Sequence, residues 1–238
     1  MSLSCLANVK RTDDNTRPDV PPHVVFGSYV GDRSGSMESQ KNASANGVYD
    51  WVVELSKGIV NNGQKGYLSV TFFDDVIEKR MDNVDASQVE ISMAQAREWS
   101  EPRSMTKLYD TAIMCINTLR KRIKSYKQDH PDLKVHGVFQ CFSDGMDNSS
   151  VASRKHLSDA ITKAREEGIM CVYLGIGQDA EVVGESYGFD RDQSLTVDVG
   201  EQSGGFAFRS ANMTALRSVT QGTTPAFTQC MRQTSAPS

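Results

Sequence analysis

The sequence predicts an α/β fold that is doubly wound, with a mostly parallel central sheet, one antiparallel edge strand and helices on both faces. Three observations predict it. Short apolar runs alternate with segments whose apolar residues have helical spacing, which is the order that builds a parallel sheet. The run between Gly168 and Gly175 is apolar throughout, as in a strand covered on both faces. Two other strands are joined by a tight Asp74-Asp75 turn and must therefore be antiparallel.

Periodicity and turn residues define each element in order. Helices are predicted where apolar residues recur every three or four positions, and breaks are predicted at Asn61-Asn62-Gly63 and at His130-Pro131. The predicted elements are a strand over 23–31, a helix over 39–61, strands over 67–73 and 76–81, an irregular segment over 82–105, a helix from 108, a strand over 135–142, a helix over 153–167, a strand over 169–175, a short helix around 182–183, an edge strand over 194–199, a helix over 211–221 interrupted at 222–225, and a last turn or two.

Composition and charge exclude several classes of protein. The chain has 238 residues, with 26 Lys and Arg against 30 Asp and Glu and a net charge of −4. This balance argues against a dedicated nucleic-acid binder or a polybasic membrane anchor. No stretch approaches about 18 consecutive apolar residues, and the N-terminus has no signal-peptide pattern, so we expect an intracellular, cytoplasmic protein with no membrane span. The partners expected from this balance include neither nucleic acid nor membrane.

The cysteines and histidines indicate an intracellular protein without a zinc site. The five cysteines are widely spaced and odd in number, with no Cys-x-x-Cys pair, which predicts free thiols in a reducing compartment. The four histidines show no zinc-ligand spacing. We expect an N-terminal arm over 1–22, one domain over 23–232 and a C-terminal tail over 233–238.

Hard oxygen donors follow the predicted strands. The carboxyl ends of strands are where ligands bind to such sheets. The first loop supplies Asp32, Ser34 and Ser36, the second supplies Thr106, and the third supplies Asp144. Carboxylates and hydroxyls without imidazole or thiolate suit Mg²⁺, with Mn²⁺ or Ca²⁺ as alternatives. Two carboxylates leave a divalent ion under-satisfied, so it would keep waters or accept an oxygen from outside.

Each of these motifs also has a purely structural interpretation. The first loop could be only a strand-to-helix turn in which Ser36 or Ser39 caps the next helix. Asp147 is interpreted as a loop residue or helix cap, and Asp74 as part of the hairpin turn rather than of a second metal site. The basic run that begins at Arg120 is interpreted as a solvated helix face, with phosphate or nucleic-acid binding as the weaker alternative.

The three loops together resemble a known family. The residues Asp32-Arg33-Ser34-Gly35-Ser36 match the Asp-x-Ser-Gly-Ser signature of von Willebrand factor type A domains, which have a Rossmann-like fold. Thr106 and Ser143-Asp144-Gly145 resemble the threonine and aspartate loops of that family. The segment 174–180, with Tyr187-Gly188-Phe189, is similar to small stand-alone domains of bacteria and phages. The resemblance extends over about 23–232.

The resemblance implies a metal-ion-dependent adhesion site. In such a site Asp32, Ser34, Ser36, Thr106 and Asp144 would hold one Mg²⁺, and the open coordination position would take an Asp or Glu side chain of a partner protein. One feature departs from the family pattern, because Gly31 stands where a bulky apolar residue is usual. A glycine there would loosen the first strand and weaken the metal affinity.

The expected function is therefore a metal-dependent protein-binding module rather than an enzyme. The chain has no Gly-x-x-x-x-Gly-Lys-Ser/Thr loop, no Gly-x-Ser-x-Gly elbow and no histidine beside the three loops. Two alternatives remain open. One is a structural component of a larger assembly, such as a virion, in which the metal site is stabilising or vestigial. The other is a metal-assisted hydrolase.

Overall fold

The structure is a computed structural model that describes residues 23–197, 201–221 and 226–235. Within this part of the chain the strands form one six-stranded sheet. The strands are β1 (His23–Asp32), β2 (Lys65–Phe73), β3 (Ile77–Asp85), β4 (Lys134–Ser143), β5 (Ile169–Ile176) and β6 (Ser194–Val197). Their order across the sheet is β3-β2-β1-β4-β5-β6.

The sheet is mostly parallel, which confirms the predicted fold class. β1 pairs in parallel with both β2 and β4, β4 with β5, and β5 with β6. β3 lies at one edge and runs antiparallel to β2 across the hairpin between Phe73 and Ile77. The chain leaves β1 towards one edge through β2 and later returns to its other side through β4. The ends of β1 and β4 therefore form the switch point at which such sheets bind ligands.

Helices cover both faces of this sheet. They are α1 (Lys41–Asn61), α2 (Met93–Trp99), α3 (Leu108–Asp129), α4 (Arg154–Glu166), α5 (Ala180–Ser186), α6 (Glu201–Gln221) and α7 (Gln229–Ser235). Alternate strand residues point to opposite faces, so each face has its own core. On one face Tyr29 packs on Trp51 of α1, with ring centroids 5.5 Å apart. On the other face Phe26 packs on Tyr126 of α3 at 5.5 Å.

The prediction of an irregular segment over 82–105 is wrong. β3 continues to Asp85, and the seven-residue helix α2 follows. This helix begins with a capping box, because the Ser92 hydroxyl accepts the Gln95 N–H and the Gln95 side chain accepts the Ser92 N–H. A helix of two turns is too short to show clear periodicity, although its capping residues are present in the sequence.

The C-terminal elements also differ from the prediction. α6 begins at Glu201, ten residues before the predicted start at 211. The sequence does not indicate its first turns because they contain Gly204-Gly205, and glycine is a poor helix former. β6 confirms the predicted edge strand up to Val197. The predicted arm 1–22, the interruption 222–225 and residues 236–238 of the predicted tail lie outside the described residues.

Gly31 has a packing reason in this fold. A Cβ atom at this position would lie 2.5 Å from Cε1 of Phe72 and 2.9 Å from Cε1 of Tyr29. The rings of these neighbours therefore occupy the space that a side chain at position 31 would need. The expected effect on metal affinity stays a prediction.

Two other expectations can be compared with the structure. Cys115, Cys141 and Cys171 are buried and form no disulfide. Burial raises the pKa of the Cys115 thiol to about 11, so this sulfur is a poor nucleophile and a poor metal ligand. Among the described helices none is both long and apolar enough to cross a membrane.

Candidate metal centre

The three loops with oxygen donors lie at the carboxyl edge of the sheet, around the switch point. Asp32 is the last residue of β1, and Asp144 follows the last residue of β4. Thr106 lies two residues before α3. The second loop reaches the first, since the Gly35 N–H donates to the Ser104 carbonyl at 2.9 Å. The fold thus brings the three predicted loops to one place.

Asp32 is the fully buried carboxylate among the candidate ligands. Its side chain is fully enclosed, with Oδ1 accepting the Ser34 N–H at 2.8 Å and Oδ2 accepting the Ser143 hydroxyl at 2.6 Å. Burial, together with the charge of Asp144, raises the pKa of this carboxyl from 3.8 to about 7, while the hydrogen bonds from Ser143 and Ser34 oppose the rise. Asp32 and Asp144 lie at the adjoining ends of β1 and β4, so their charges act on one another.

The serines of the first loop do not cap a helix. The chain enters a 3-10 turn at Gly35–Gln40 before α1, and no side-chain hydrogen bond caps either helical segment. The hydroxyls of Ser34 and Ser36 instead lie 3.1 Å apart. The interpretation of this loop as a simple capped turn is therefore not supported, and its two hydroxyls remain directed to one another beside Asp32.

Thr106 is held through its main chain. Its N–H donates to Asn148 Oδ1 at 2.8 Å, and its carbonyl accepts the N–H groups of Asn148 and Ser149, each at 3.1 Å. These bonds join the second loop to the third loop. The Thr106 side chain, 2% exposed as a residue, is thereby fixed between β1 and the turn after β4.

The third loop depends on two residues to which the sequence analysis assigned no role. The hydroxyl of Tyr187 donates to the Gly145 carbonyl at 2.6 Å. The side-chain amide of Gln178 donates to the Ser143 carbonyl at 3.3 Å and to the Tyr173 hydroxyl at 2.8 Å. Gly145 adopts φ +80°, a left-handed conformation that favours glycine, and this turn exposes Asp144 at the edge of the sheet.

A buried arginine anchors the first loop to the hairpin between β2 and β3. Arg33 is fully enclosed, and its Nη2 lies 2.7 Å from Glu78 Oε1 while its Nε forms a longer ion pair with Asp74 at 3.4 Å. Its N–H donates to the Phe73 carbonyl at 2.9 Å, and its carbonyl accepts the Arg103 N–H at 2.8 Å. The variable position of the Asp-x-Ser-Gly-Ser signature thus anchors the loop to the β2–β3 hairpin, which the sequence analysis missed.

The other aspartates have structural roles, as the sequence interpretation proposed. Asp147 accepts the Tyr109 N–H at 3.3 Å in the first turn of α3 and the Ser150 hydroxyl at 2.7 Å. Asp74 accepts the Val76 N–H at 2.7 Å in the hairpin turn. Among the described residues there is no group of three or more His, Cys, Asp or Glu side chains arranged for a metal. The candidate centre therefore consists of two carboxylates and three hydroxyls.

The donor set fits a hard divalent cation. Carboxylate and hydroxyl oxygens are the ligands that Mg²⁺, Mn²⁺ and Ca²⁺ prefer. Among the described residues, Arg33 pairs with Asp74 and Glu78, and no lysine or arginine lowers the pKa of Asp32, so none of them compensates its charge. A buried carboxylate that is repelled by a second one is destabilised in its charged form. A bound cation would offset the cost of the buried charge and the repulsion between the two carboxylates.

Comparison with solved structures identifies the fold. Proximal thread matrix protein 1 from the mussel byssus matches with a TM-score of 0.55 and 16% identity over 82% of this chain and 47% of that chain. A von Willebrand factor type A structure from Catenulispora acidiphila matches with a TM-score of 0.52 and 16% identity, over 82% and 43%. This chain has the von Willebrand factor type A fold.

Other structures with the type A fold extend the comparison. The pilus adhesin SpaC from Lactobacillus rhamnosus GG matches with a TM-score of 0.58 and 13% identity, over 84% of this chain and 31% of that chain. The mussel protein was also solved with zinc in its metal-ion-dependent adhesion site. This chain spans less than half the length of these structures. A scan of family models and a search of curated proteins gave no match.

Proposed function

We propose that this chain is a metal-dependent protein-binding module of the adhesion type. Asp32, Ser34, Ser36, Thr106 and Asp144 would hold one divalent cation, with Mg²⁺ as the preferred ion, and the cation would supply an electrophilic position for a carboxylate of a partner protein. The observation that carries the proposal is the fully buried Asp32, which lies beside Asp144 and which no cationic side chain in residues 23–197, 201–221 or 226–235 neutralises. The zinc-occupied site of the mussel protein, which has the same fold, supports it.

Apolar side chains around the site support a protein as the partner. Met105 is 48% exposed next to Thr106, Met146 is 68% exposed just after Asp144, and Val151 is 95% exposed farther along the third loop. Large apolar side chains on the surface of a monomer often mark a protein interaction site, and methionine adapts to different partner shapes. The same loops contain no histidine, and we propose a binding module rather than an enzyme.

A two-part experiment tests the proposal. The first part measures Mn²⁺ binding by calorimetry and thermal stability with Mg²⁺ or chelator, comparing wild type with Asp32→Ala. We expect binding and a Mg²⁺-dependent rise in melting temperature in wild type, because a ligand that binds only the folded state stabilises it. Asp75→Ala is the matched control, since Asp75 is an exposed aspartate of the neighbouring hairpin turn. It should behave as wild type.

The second part captures partners from the native source in Mg²⁺ and elutes them with chelator. Elution of a protein that Asp32→Ala does not retain, and that Asp75→Ala retains, would support the module. A partner that binds equally well in chelator and to Asp32→Ala would contradict carboxylate capture and favour a structural component of an assembly. Absence of any cation binding in the first part would reject the metal centre itself.

A further inference from the structure

A second concave surface lies at the opposite end of the strands from the metal centre. It is a groove of about 690 Å³ between the C-terminal half of α3, the end of α4 and the start of β5. Its charged lining consists of Arg120, Lys121, Lys124, Lys127, Lys163 and Glu167. We call it the basic groove. It is separated from the carboxyl edge by the length of the sheet, so a ligand bound in it would not reach the candidate metal centre.

The charges of the basic groove are mostly uncompensated. Arg120 donates from Nε to Glu167 Oε2 at 2.7 Å, and these two side chains neutralise each other. The four lysines form no ion pair with any residue that the structure describes. Arg120 lowers the pKa of Glu167, and the charges of Lys163 and Lys124 lower it further, which shows that lysines from both helices act on one point.

The helix dipole accounts for only two of these lysines, since Lys127 and Lys163 lie in the last turns of α3 and α4. A cation stabilises a helix C-terminus only within about the last turn, and Lys121 and Lys124 precede the end of α3 at Asp129 by more than one turn. The floor of the groove contains Ile123 and Ile169, which are 6% and 4% exposed. A concave surface with an apolar floor concentrates the field of the charges around it. The arrangement is therefore suited to an anion.

From this we infer that the basic groove binds a compact polyanion that carries two or more phosphoryl groups. Two phosphoryl groups carry about −1.5 to −2 charges each near neutral pH, which matches four uncompensated lysines. Lysine is a common phosphate ligand that acts as a point charge, and the groove's arginine, Arg120, is already engaged by Glu167. The volume of the groove is that of a small-molecule site.

Nucleic acid fits the same surface less well. No aromatic side chain is among the described residues that line the groove, so it offers no platform for base stacking. Exposed carboxylates follow closely on both helices, with Asp129 two residues after Lys127 and Glu166 next to Glu167. An extended polyanion would reach these carboxylates, whereas a compact one would stay within the groove.

Calorimetry with inorganic pyrophosphate and tripolyphosphate tests the inference, in low-salt buffer freed of divalent metal. We expect saturable binding at one site, tighter than that of orthophosphate and weakened by added salt. In the variant Lys121→Gln/Lys124→Gln/Lys163→Gln the affinity should fall by roughly ten-fold or more, because three of the facing charges are gone. Methyl NMR gives a readout without mutation: the signals of Ile123 and Ile169 should shift, and that of Ile59 should not.

A control variant with the same change in net charge is Lys41→Gln/Lys57→Gln/Lys155→Gln, whose lysines are exposed elsewhere. Equal weakening in the control and the groove variant would overturn the inference, since bulk charge would explain the binding. If neither pyrophosphate nor tripolyphosphate shows saturable binding, the inference is also overturned. So would a DNA oligonucleotide that binds more tightly than pyrophosphate and is lost in the groove variant. Asp32→Ala should leave phosphate binding unchanged, which separates this result from the proposed metal function.

Discussion

Replacing Asp32 by asparagine should stabilise the metal-free protein, although Asp32 is the central candidate ligand. The reason is the burial of its carboxylate, which is repelled by the charge of Asp144 and has no cationic side chain beside it in the part of the chain that the structure describes. In the unfolded chain the same carboxylate is fully hydrated and ionises at its ordinary pKa. Folding at neutral pH therefore either buries a charge or takes up a proton. Asparagine has nearly the same shape and carries no charge, so it avoids this cost.

The structure gives the size of the effect. The pKa of Asp32 rises from 3.8 to about 7, and each unit of difference between folded and unfolded states corresponds to about 1.4 kcal/mol. Below pH 3.8 the carboxyl is protonated in both the folded and the unfolded state, and its burial carries no charge penalty. As the pH rises towards 7 the free energy of unfolding falls, and above pH 7 the total loss is roughly 4 kcal/mol. Asparagine keeps the bond from the Ser34 N–H but disturbs that from Ser143, which costs about 1–2 kcal/mol. The net gain for Asp32→Asn at pH 8 is then about 2–3 kcal/mol.

Urea denaturation in chelator at pH 5 and pH 8 measures this effect for both proteins. The stability of Asp32→Asn relative to wild type should rise by about 2–3 kcal/mol between these pH values. Taking the difference between two proteins cancels other titrations, such as those of His23 and His136, whose pKa values burial lowers. Addition of Mg²⁺ should stabilise wild type more than the variant. A relative stability that does not change with pH, or a variant less stable than wild type at pH 8, would refute the reasoning.

Two further predictions concern the anchoring of the first loop. Arg33→Met should lower the free energy of unfolding by about 2–4 kcal/mol in a denaturant titration, because it leaves the buried Asp74 without its ion pair; a change below about 1 kcal/mol would contradict this role. Gly31→Ala should cost about 1–3 kcal/mol, because the new methyl group would overlap the ring of Phe72, and an unchanged or raised melting temperature would show that the ring can move away.

Most of the fold could be predicted from the sequence because long elements repeat one pattern many times. The helix of 22 residues that became α3 and the apolar strand β5 were both predicted within two residues of their observed starts. The short helix α2 was not predicted because only two of its seven residues are buried and apolar, too few to show helical spacing. Its sequence signal lies in the capping residues Ser92 and Gln95. Local patterns predict elements, whereas the ends of short elements depend on tertiary contacts.

The candidate ligands could be predicted, but the residues that hold them could not. Side chains such as Asp32 and Asp144 belong to loop motifs that are continuous in the sequence. Their supports are not: Arg33 pairs with Glu78 across 45 positions, and Tyr187 donates to Gly145 across 42. A hydrogen bond between distant positions leaves no periodic signal in one sequence. An arginine between two ligand residues would suggest an exposed side chain, and only the structure shows it fully enclosed.

The direction in which Arg33 points determines what the site can bind. If its guanidinium faced Asp32, an internal ion pair would neutralise the carboxylate and weaken the need for a metal. It faces Asp74 and Glu78 instead, so the negative charge of Asp32 and Asp144 is left for an external cation. Two carboxylates with a divalent ion sum to zero charge, whereas a third carboxylate would repel the acidic side chain of a partner. The buried arginine thus anchors the loop without reducing the attraction on which the proposed carboxylate capture would depend.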